Sequence, residues 1–230
     1  MLWLKSWLEV RWRALFALTL FVAVSVSRFA GGLADRADAE RLCGALIIMW
    51  LLVAVILAGS GVKTQSPFQP MKGLHDSAQF ILSLPVGRSR LLAVRAAVGL
   101  ASVTAAVLLS AALAWFLFPL VRATSTPSDL LRWGVTGVCC ATAFYALSTL
   151  VAIFLDETWQ MWGTVLAIAA IRGLTLWFPP PPALDVFRAM ATASPLLTHA
   201  MPWPAISLCL VVAAALFLTV AHLLQNREFS

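Results

Sequence analysis

The stretch of sequence that organises this chain reads KTQSPFQPMKGLHDSAQFILSLPVGRSRLLAVR, at residues 63–95. It is polar and basic, whereas the sequence on both sides of it is almost continuously apolar. Within it, residues 77–84 fit a short amphipathic helix that ends at Pro85, because proline lacks a backbone N–H. The apolar side of this helix consists of Phe80, Ile81 and Leu84, and the polar side of Asp76, Gln79 and Ser83. A new helix is predicted from about Ser89, so the stretch predicts a water-exposed surface between two long apolar helices.

The composition indicates an integral membrane protein. Hydrophobic residues make up 61% of the 230 residues and charged residues 11%, against roughly 45–50% and about 25% in soluble domains. The basic residues that give the net charge of +6 lie beside the apolar runs and do not form a patch with interleaved aromatic residues. Nucleic-acid binding is therefore excluded as a function class.

Six apolar runs are long enough to form membrane-spanning helices, each of which needs about 20 residues. They cover residues 14–30, 42–62, 96–121, 133–155, 160–178 and 205–224. The predicted fold class is all-α, with six transmembrane helices in a single domain of residues 1–230. Residues 126–129 (Thr-Pro-Ser-Asp) are predicted to cap the fourth helix, and the four prolines at 179–182 to end the fifth. The segment 179–204 is too polar and interrupted to span a membrane.

The N-terminal residues 1–13 are predicted to form an amphipathic helix in the membrane interface. Tryptophan and leucine fall on one face and charged residues on the other, as in helices that lie at the headgroup level. The alternative is a signal peptide cleaved near Ala30. Arginine and lysine in the connections set the orientation: nine lie on the side of the termini and of residues 63–95, and five on the opposite side. Both termini are therefore predicted to be cytoplasmic.

The run from Phe80 to Arg95 resembles the signature that follows the second span in type-2 ATP-binding-cassette (ABC) exporter permeases. In that family this segment contains the coupling helix, which docks in a groove of a cytoplasmic ATPase. The resemblance implies that Phe80 and Ile81 anchor the ATPase and that Asp76, Gln79 and Arg88 surround them. It also implies a multi-pass protein of a bacterial-type inner membrane, with short external helices in the segment 179–204.

The same resemblance implies the partners and the function. The partners would be a cytoplasmic ABC ATPase, a second permease copy or a related permease, and the membrane lipids. The function would be export of a substrate that the sequence does not identify. The chain has no GxxxxGK[ST] motif, so ATP hydrolysis is assigned to the partner and this chain is not predicted to be an enzyme. A membrane scaffold or assembly factor without transport is the alternative function. An intramembrane hydrolase is a further class, and it would need paired polar catalytic groups at one depth in the membrane.

Arg172, in the fifth predicted span, is the candidate residue for a substrate path. An arginine costs roughly 2.5–3.5 kcal/mol at the centre of a bilayer, so it should reach the interface, pair, or face a polar cavity. Both a substrate contact and a structural pairing are open. No cofactor or metal site is predicted, because the three histidines share no motif and the four cysteines lie in apolar runs without a CxxC pair. The cysteines are interpreted as small packing residues.

Small residues at four-residue spacing predict close helix contacts in two places. One stripe consists of Ala93, Ala97, Ala101 and Ala105, and the other of Gly137 and Ala141. Small side chains let helix backbones approach within a membrane. Packing inside the protomer is the predicted use of both stripes, with a contact between two permease copies as the alternative.

Overall fold

A computed structural model describes residues 36–58, 88–155 and 157–226, together with a few isolated positions between residues 11 and 23. These ranges form eight helices and no strand, which agrees with the predicted all-α class. The helices are α1 (Arg36–Leu57), α2 (Arg88–Leu117), α3 (Pro119–Thr124), α4 (Pro127–Phe154), α5 (Glu157–Trp177), α6 (Val186–Met190), α7 (Pro195–Thr198) and α8 (Trp203–Asn226).

Four of these helices are long and apolar enough to cross a membrane. The apolar parts are Glu40–Leu57, Ala93–Leu117, Pro127–Phe154 and Trp203–Leu223, and they correspond to the predicted second, third, fourth and sixth spans. Helix α5 has 21 residues, but Gln160, Arg172 and several smaller polar residues lower its hydropathy. The predicted interfacial helix at 1–13 and the first span at 14–30 lie outside the described residues except at isolated positions.

Helix α4 is the centre of the bundle and contacts α1, α2, α5, α6, α7 and α8. Glycine makes this position possible, because a Cβ atom at Gly137 would overlap the indole ring of Trp50 in α1. The Trp50 ring also packs on Trp133, with ring centroids 4.9 Å apart. Its Nε1 donates a hydrogen bond of 2.6 Å to Ser110 Oγ in α2. Trp50 thus joins α1 to both α2 and α4.

The two predicted small-residue stripes behave differently. Gly137 and Ala141 are buried between α4 and its neighbours, as predicted. In the alanine stripe of α2, by contrast, Ala93, Ala101 and Ala105 are exposed and Ala97 is half-buried, so packing of that stripe inside the protomer was wrong. The buried face of α2 contains instead Val94, Val98, Ser102, Val103 and Val107.

Local signals set the ends of α4 and α5. At the start of α4 the Thr126 side chain accepts from the Asp129 backbone N–H while the Asp129 side chain accepts from the Thr126 N–H, which confirms the predicted cap. Helix α5 ends at Trp177, two residues before the first of the four prolines. The short helices α6 and α7 follow, and neither approaches the length needed to span a membrane.

Candidate binding groove and polar clusters

Most of the predicted ATPase contact lies outside the residues that the structure describes. This applies to Asp76, Gln79, Phe80 and Ile81. Arg88 is the first residue of α2, so the new helix begins within a residue of its predicted start near Ser89. The docking of residues 76–88 on an ATPase stays a prediction.

Arg172 stacks on an aromatic ring from another helix. Its guanidinium carbon lies 5.0 Å from the ring centroid of Phe187 in α6, a cation–π contact typically worth about 0.5–2 kcal/mol. Within the described ranges, no carboxylate lies at ion-pair distance from Arg172. The N–H donors of the guanidinium, which point out from the edge of its plane, have no protein acceptor in these ranges.

A groove of about 350 Å³ lies between α1 and α5 and includes Arg172. Its wall is apolar except for that side chain and is completed by Phe187 from α6. The lining residues are Ile47, Ile48, Leu51, Leu52 and Val55 from α1, Val165, Ile168, Ala169 and Arg172 from α5, and Phe187. The volume falls in the range of about 300–1,000 Å³ that is usual for small-molecule sites. Among the described lining residues, the groove is therefore apolar with one cation, Arg172.

The groove opens on the exposed side of α5. Ile48, Ala169 and Arg172 are all exposed, and so are the neighbouring residues Leu166 and Leu174. In water such a continuous apolar surface would be unusual for a monomeric domain. In a membrane this is the surface that lipid covers.

The buried start of α5 carries a neutral polar cluster, here named the Gln160 cluster. The Gln160 side-chain amide donates to the carbonyl of Ala58, at 3.0 Å, and to Ser148 Oγ, at 2.9 Å. Thr164 completes the cluster, with its hydroxyl 3.2 Å from that of Ser148. All three polar side chains are buried. Ala58 follows the last residue of α1, where helix carbonyls lack a partner within the helix, so Gln160 satisfies the end of α1.

The start of α4 carries a charged cluster, here named the Asp129 cluster. The buried carboxylate of Asp129 accepts from Thr126 N at 3.0 Å and from His199 Nδ1 at 2.8 Å. Arg132 Nη1 lies 3.3 Å from the other carboxylate oxygen and donates to the carbonyl of His199 at 2.8 Å. His199 ends α7 in a left-handed conformation with φ of 57°. The cluster thereby fixes the end of α7 to the start of α4.

For each cluster, the sequence predicted at most one of the two groups of residues that meet there. The Thr126–Asp129 cap is local and was predicted, but His199 lies 70 residues from Asp129 and no motif marks it. Gln160 lies 102 residues from Ala58, and no motif marks it either. The one signal available for Gln160 was the presence of a polar residue inside a predicted span. That signal was used only for Arg172.

The cysteines pack as small residues in the described ranges. Cys140 and Cys209 bring α4 and α8 together with their sulfur atoms 3.6 Å apart, and both are buried free thiols. Cys43 accepts a long hydrogen bond from Ser194 Oγ, 3.7 Å away. In this part of the chain no group of three or more histidine, cysteine or acidic residues is arranged to hold a metal ion.

No protein-family model, no curated protein and no solved structure matches this chain. The resemblance of residues 80–95 to ABC permeases thus stays a prediction from that short run. A functional conclusion has to rest on the chemistry of the helices, the groove and the two clusters.

Proposed function

We propose that this chain is the membrane-spanning permease subunit of an ABC exporter whose ATPase is a separate protein. The observation that carries the proposal is the position of the basic stretch. It connects two helices that are each able to cross a membrane, α1 ending at Leu57 and α2 beginning at Arg88. A connection between two consecutive spans begins and ends on the same side of the membrane. This one contains the run of residues that resembles a coupling helix.

The proposal includes six spans, of which α5 is one. Trp159 and Trp162 lie exposed at the start of α5, and Trp177 is 83% exposed at its end. Tryptophan favours the two interfaces of a bilayer. The distance from Trp159 to Trp177 is about 18 residues, or about 27 Å along a helix, close to the roughly 30 Å of the hydrocarbon core. The polar residues of α5 are accommodated by burial of Gln160 and Thr164 against α4.

The Gln160 cluster supplies a route from the coupling segment into the bundle. With both termini in the cytoplasm, the end of α1 and the Gln160 cluster lie at the cytoplasmic side, directly before the basic stretch. Closure of the ATPase dimer on ATP would move that stretch, and the Gln160–Ala58 bond would pass the motion to α4 and α5. Such a shift changes the balance of two states only if the contacts differ between them.

The Asp129 cluster lies at the opposite end of the bundle in this arrangement. It would hold the short helices α6 and α7 against α4 on the external side. Arg172, on the α5 face of the groove, would contribute to the substrate path. A second copy of the chain or a related permease would complete that path, since the groove beside Arg172 is open on the exposed side of α5.

The test is capture of the partner. The full chain, expressed in its own host and extracted in mild detergent, should co-purify with a protein that carries a P-loop. Phe80→Asp should abolish this capture, because a charge replaces the proposed apolar anchor, while Phe68→Asp in the same segment should keep it. Absence of any P-loop protein with the wild-type chain, or equal capture by both variants, would reject the proposal and favour the scaffold.

A further inference from the structure

We infer that the groove between α1 and α5 binds one acyl chain of an anionic phospholipid from the surrounding bilayer, with the lipid phosphate paired to Arg172. The groove itself is a feature of the described residues. The depth assigned to Arg172 rests on α5 as a membrane span, which belongs to the proposed function, and so does the interpretation of the groove as part of the export path.

The charge of the groove selects an anion. Arg172 has no carboxylate partner within the described ranges, and in the same ranges the N–H donors at the edge of its guanidinium plane have no protein acceptor. An arginine presents two parallel N–H donors that match the oxygens of a phosphate. A phosphate at this edge would supply both the counter-charge and the missing acceptors.

The position along α5 matches the depth of a lipid headgroup. Arg172 precedes Trp177 by about five residues, or about 7.5 Å along the helix. Tryptophan lies at the headgroup level, and an arginine side chain below it extends toward the interface. The guanidinium therefore reaches the layer in which lipid phosphates lie.

The shape of the groove accommodates a chain that runs down from that headgroup. The rest of the lining is apolar, and it continues along α5 from Arg172 back to Val165. The start of α5 bonds to the end of α1 through Gln160, while Arg172 shares the groove with Ile47 and Ile48, so the two helices run in opposite directions. The groove therefore follows both helices lengthwise, as an extended acyl chain would.

A bilayer lipid fits the groove better than a second copy of this chain does. The groove is concave and carries a cation that has no carboxylate partner in the described part of the chain, and a self-complementary contact across a twofold axis would bring two Arg172 side chains near each other. Like charges in such a contact repel. Lipid also covers the exposed leucines on either side of the groove without further matching.

The experiment is a lipid titration of the intact purified chain, followed by native mass spectrometry. Dioleoylphosphatidylglycerol, which is anionic, and dioleoylphosphatidylcholine, which is zwitterionic, are added separately at equal concentrations. We expect about fivefold tighter binding of phosphatidylglycerol, the effect of one basic residue at a membrane surface. Arg172→Gln should remove this preference and Arg172→Lys should retain most of it. Arg122→Gln, which removes an exposed arginine outside the groove, should leave the preference unchanged.

A second pair of variants tests the chain position. Ala169 lines the groove, and its neighbour Ala170 is also exposed but is not among the described lining residues. Ala169→Phe should reduce binding of both lipids, and Ala170→Phe should not. Neither side chain is in the packed core, so both variants should elute as monodisperse protein.

Several outcomes would overturn the inference. These are equal binding of the two lipids, loss of the preference with Arg122→Gln, the same result for Ala169→Phe and Ala170→Phe, or full displacement of the lipid by soluble glycerol phosphate, which carries no chain. A change of oligomeric state in Ala169→Phe alone would assign the groove to a contact between two copies. None of these results depends on an ATPase, so failure here and failure of the proposed function are separate observations.

Discussion

Both ends of the central helix α4 are joined to distant parts of the chain by polar side chains, but the chemistry of the two contacts differs. At its start, the Asp129 cluster joins α4 to α7 with a carboxylate, an arginine and a histidine. Toward its end, the Gln160 cluster joins α4 to α1 and α5 with an amide and two hydroxyls. Both clusters connect parts of the chain that lie far apart in sequence, but only the first carries charge.

The difference follows from access to water. The side chains of Arg132 and His199 are 46% and 54% exposed, while that of Asp129 is 3% exposed. Half-exposed partners keep most of their hydration, so the buried carboxylate is neutralised at modest cost. Every polar side chain of the Gln160 cluster is buried, where the desolvation of an ion often exceeds what a partner returns. A charged contact thus fits an open helix end, and a neutral one fits a sealed interior.

The largest expected effect comes from removing the charged centre. Asp129→Ala removes the carboxylate half of the capping box, while the Thr126 side chain still accepts from the backbone N–H of residue 129, and it removes charge-assisted hydrogen bonds worth about 1.5–3 kcal/mol. We expect a loss of about 2–3 kcal/mol in the free energy of unfolding, because the exposed partners recover part of their hydration. Titration with sodium dodecyl sulfate, followed by the fluorescence of the tryptophans, measures it. Asp129→Asn, which keeps an acceptor for the cap, should lose less than half as much, and a loss below about 1 kcal/mol for Asp129→Ala would contradict this account.

A second prediction tests whether the packing of Trp50 on the middle of α4 affects the Gln160 cluster more than the Asp129 cluster. Gly137→Ala places a methyl group in the ring of Trp50, and overpacking of this kind costs about 1–3 kcal/mol. Displacement of α1 should also weaken the Gln160–Ala58 bond and leave the Asp129 cluster intact. The control is Gly173→Ala, where no atom lies within 4 Å and the higher helix propensity of alanine should stabilise α5 slightly. A neutral result for Gly137→Ala would show that Trp50 moves aside freely.

How much of this could be predicted from sequence depends on the range of each signal. Apolar runs predicted the five long helices of the described ranges, α1, α2, α4, α5 and α8, and the cap at Thr126–Asp129 was readable because its partners are three residues apart. The buried face of α2 was not predicted correctly. The buried residues Val94, Val98 and Ser102 have the same four-residue spacing, one position after the alanines, so the spacing did not show which face of α2 contacts its neighbours.

The candidate sites show the same limit. Arg172 stood out because a charged residue in an apolar run is costly, but its stack on Phe187 depends on how α6 folds back after the prolines. Gln160 and His199 gave no comparable signal. Their partners lie 102 and 70 residues away, and only the packing of α4 against its neighbours brings them together.

The third prediction measures the neutral cluster alone. Gln160→Leu removes two hydrogen bonds and leaves the Ala58 carbonyl without its side-chain donor, while keeping the volume of the side chain. Interhelical hydrogen bonds in membranes average about 0.6 kcal/mol and reach about 1.7 kcal/mol, so we expect a loss of about 1–2 kcal/mol in the same titration. Thr142→Val is the control, because within the described residues the Thr142 hydroxyl bonds to the carbonyl of Val138 in its own helix and to no other helix. Equal losses for the two variants would show that the Gln160 cluster does not join α1 to α5.

The smallest effect separates the bond of His199 from its backbone strain. His199 has φ of 57°, and a residue with a Cβ atom pays roughly 1–2 kcal/mol for this left-handed conformation, whereas glycine does not. His199→Ala keeps the strain and loses the bond to Asp129, so it should cost about 1 kcal/mol. His199→Gly loses the same bond but relieves the strain, so the free energy of unfolding should change by less than about 0.5 kcal/mol. If His199→Ala and His199→Gly destabilise the protein equally, the bond to Asp129 does not hold residue 199 in the left-handed conformation. The Asp129 cluster would then contribute to stability only through the cap of α4.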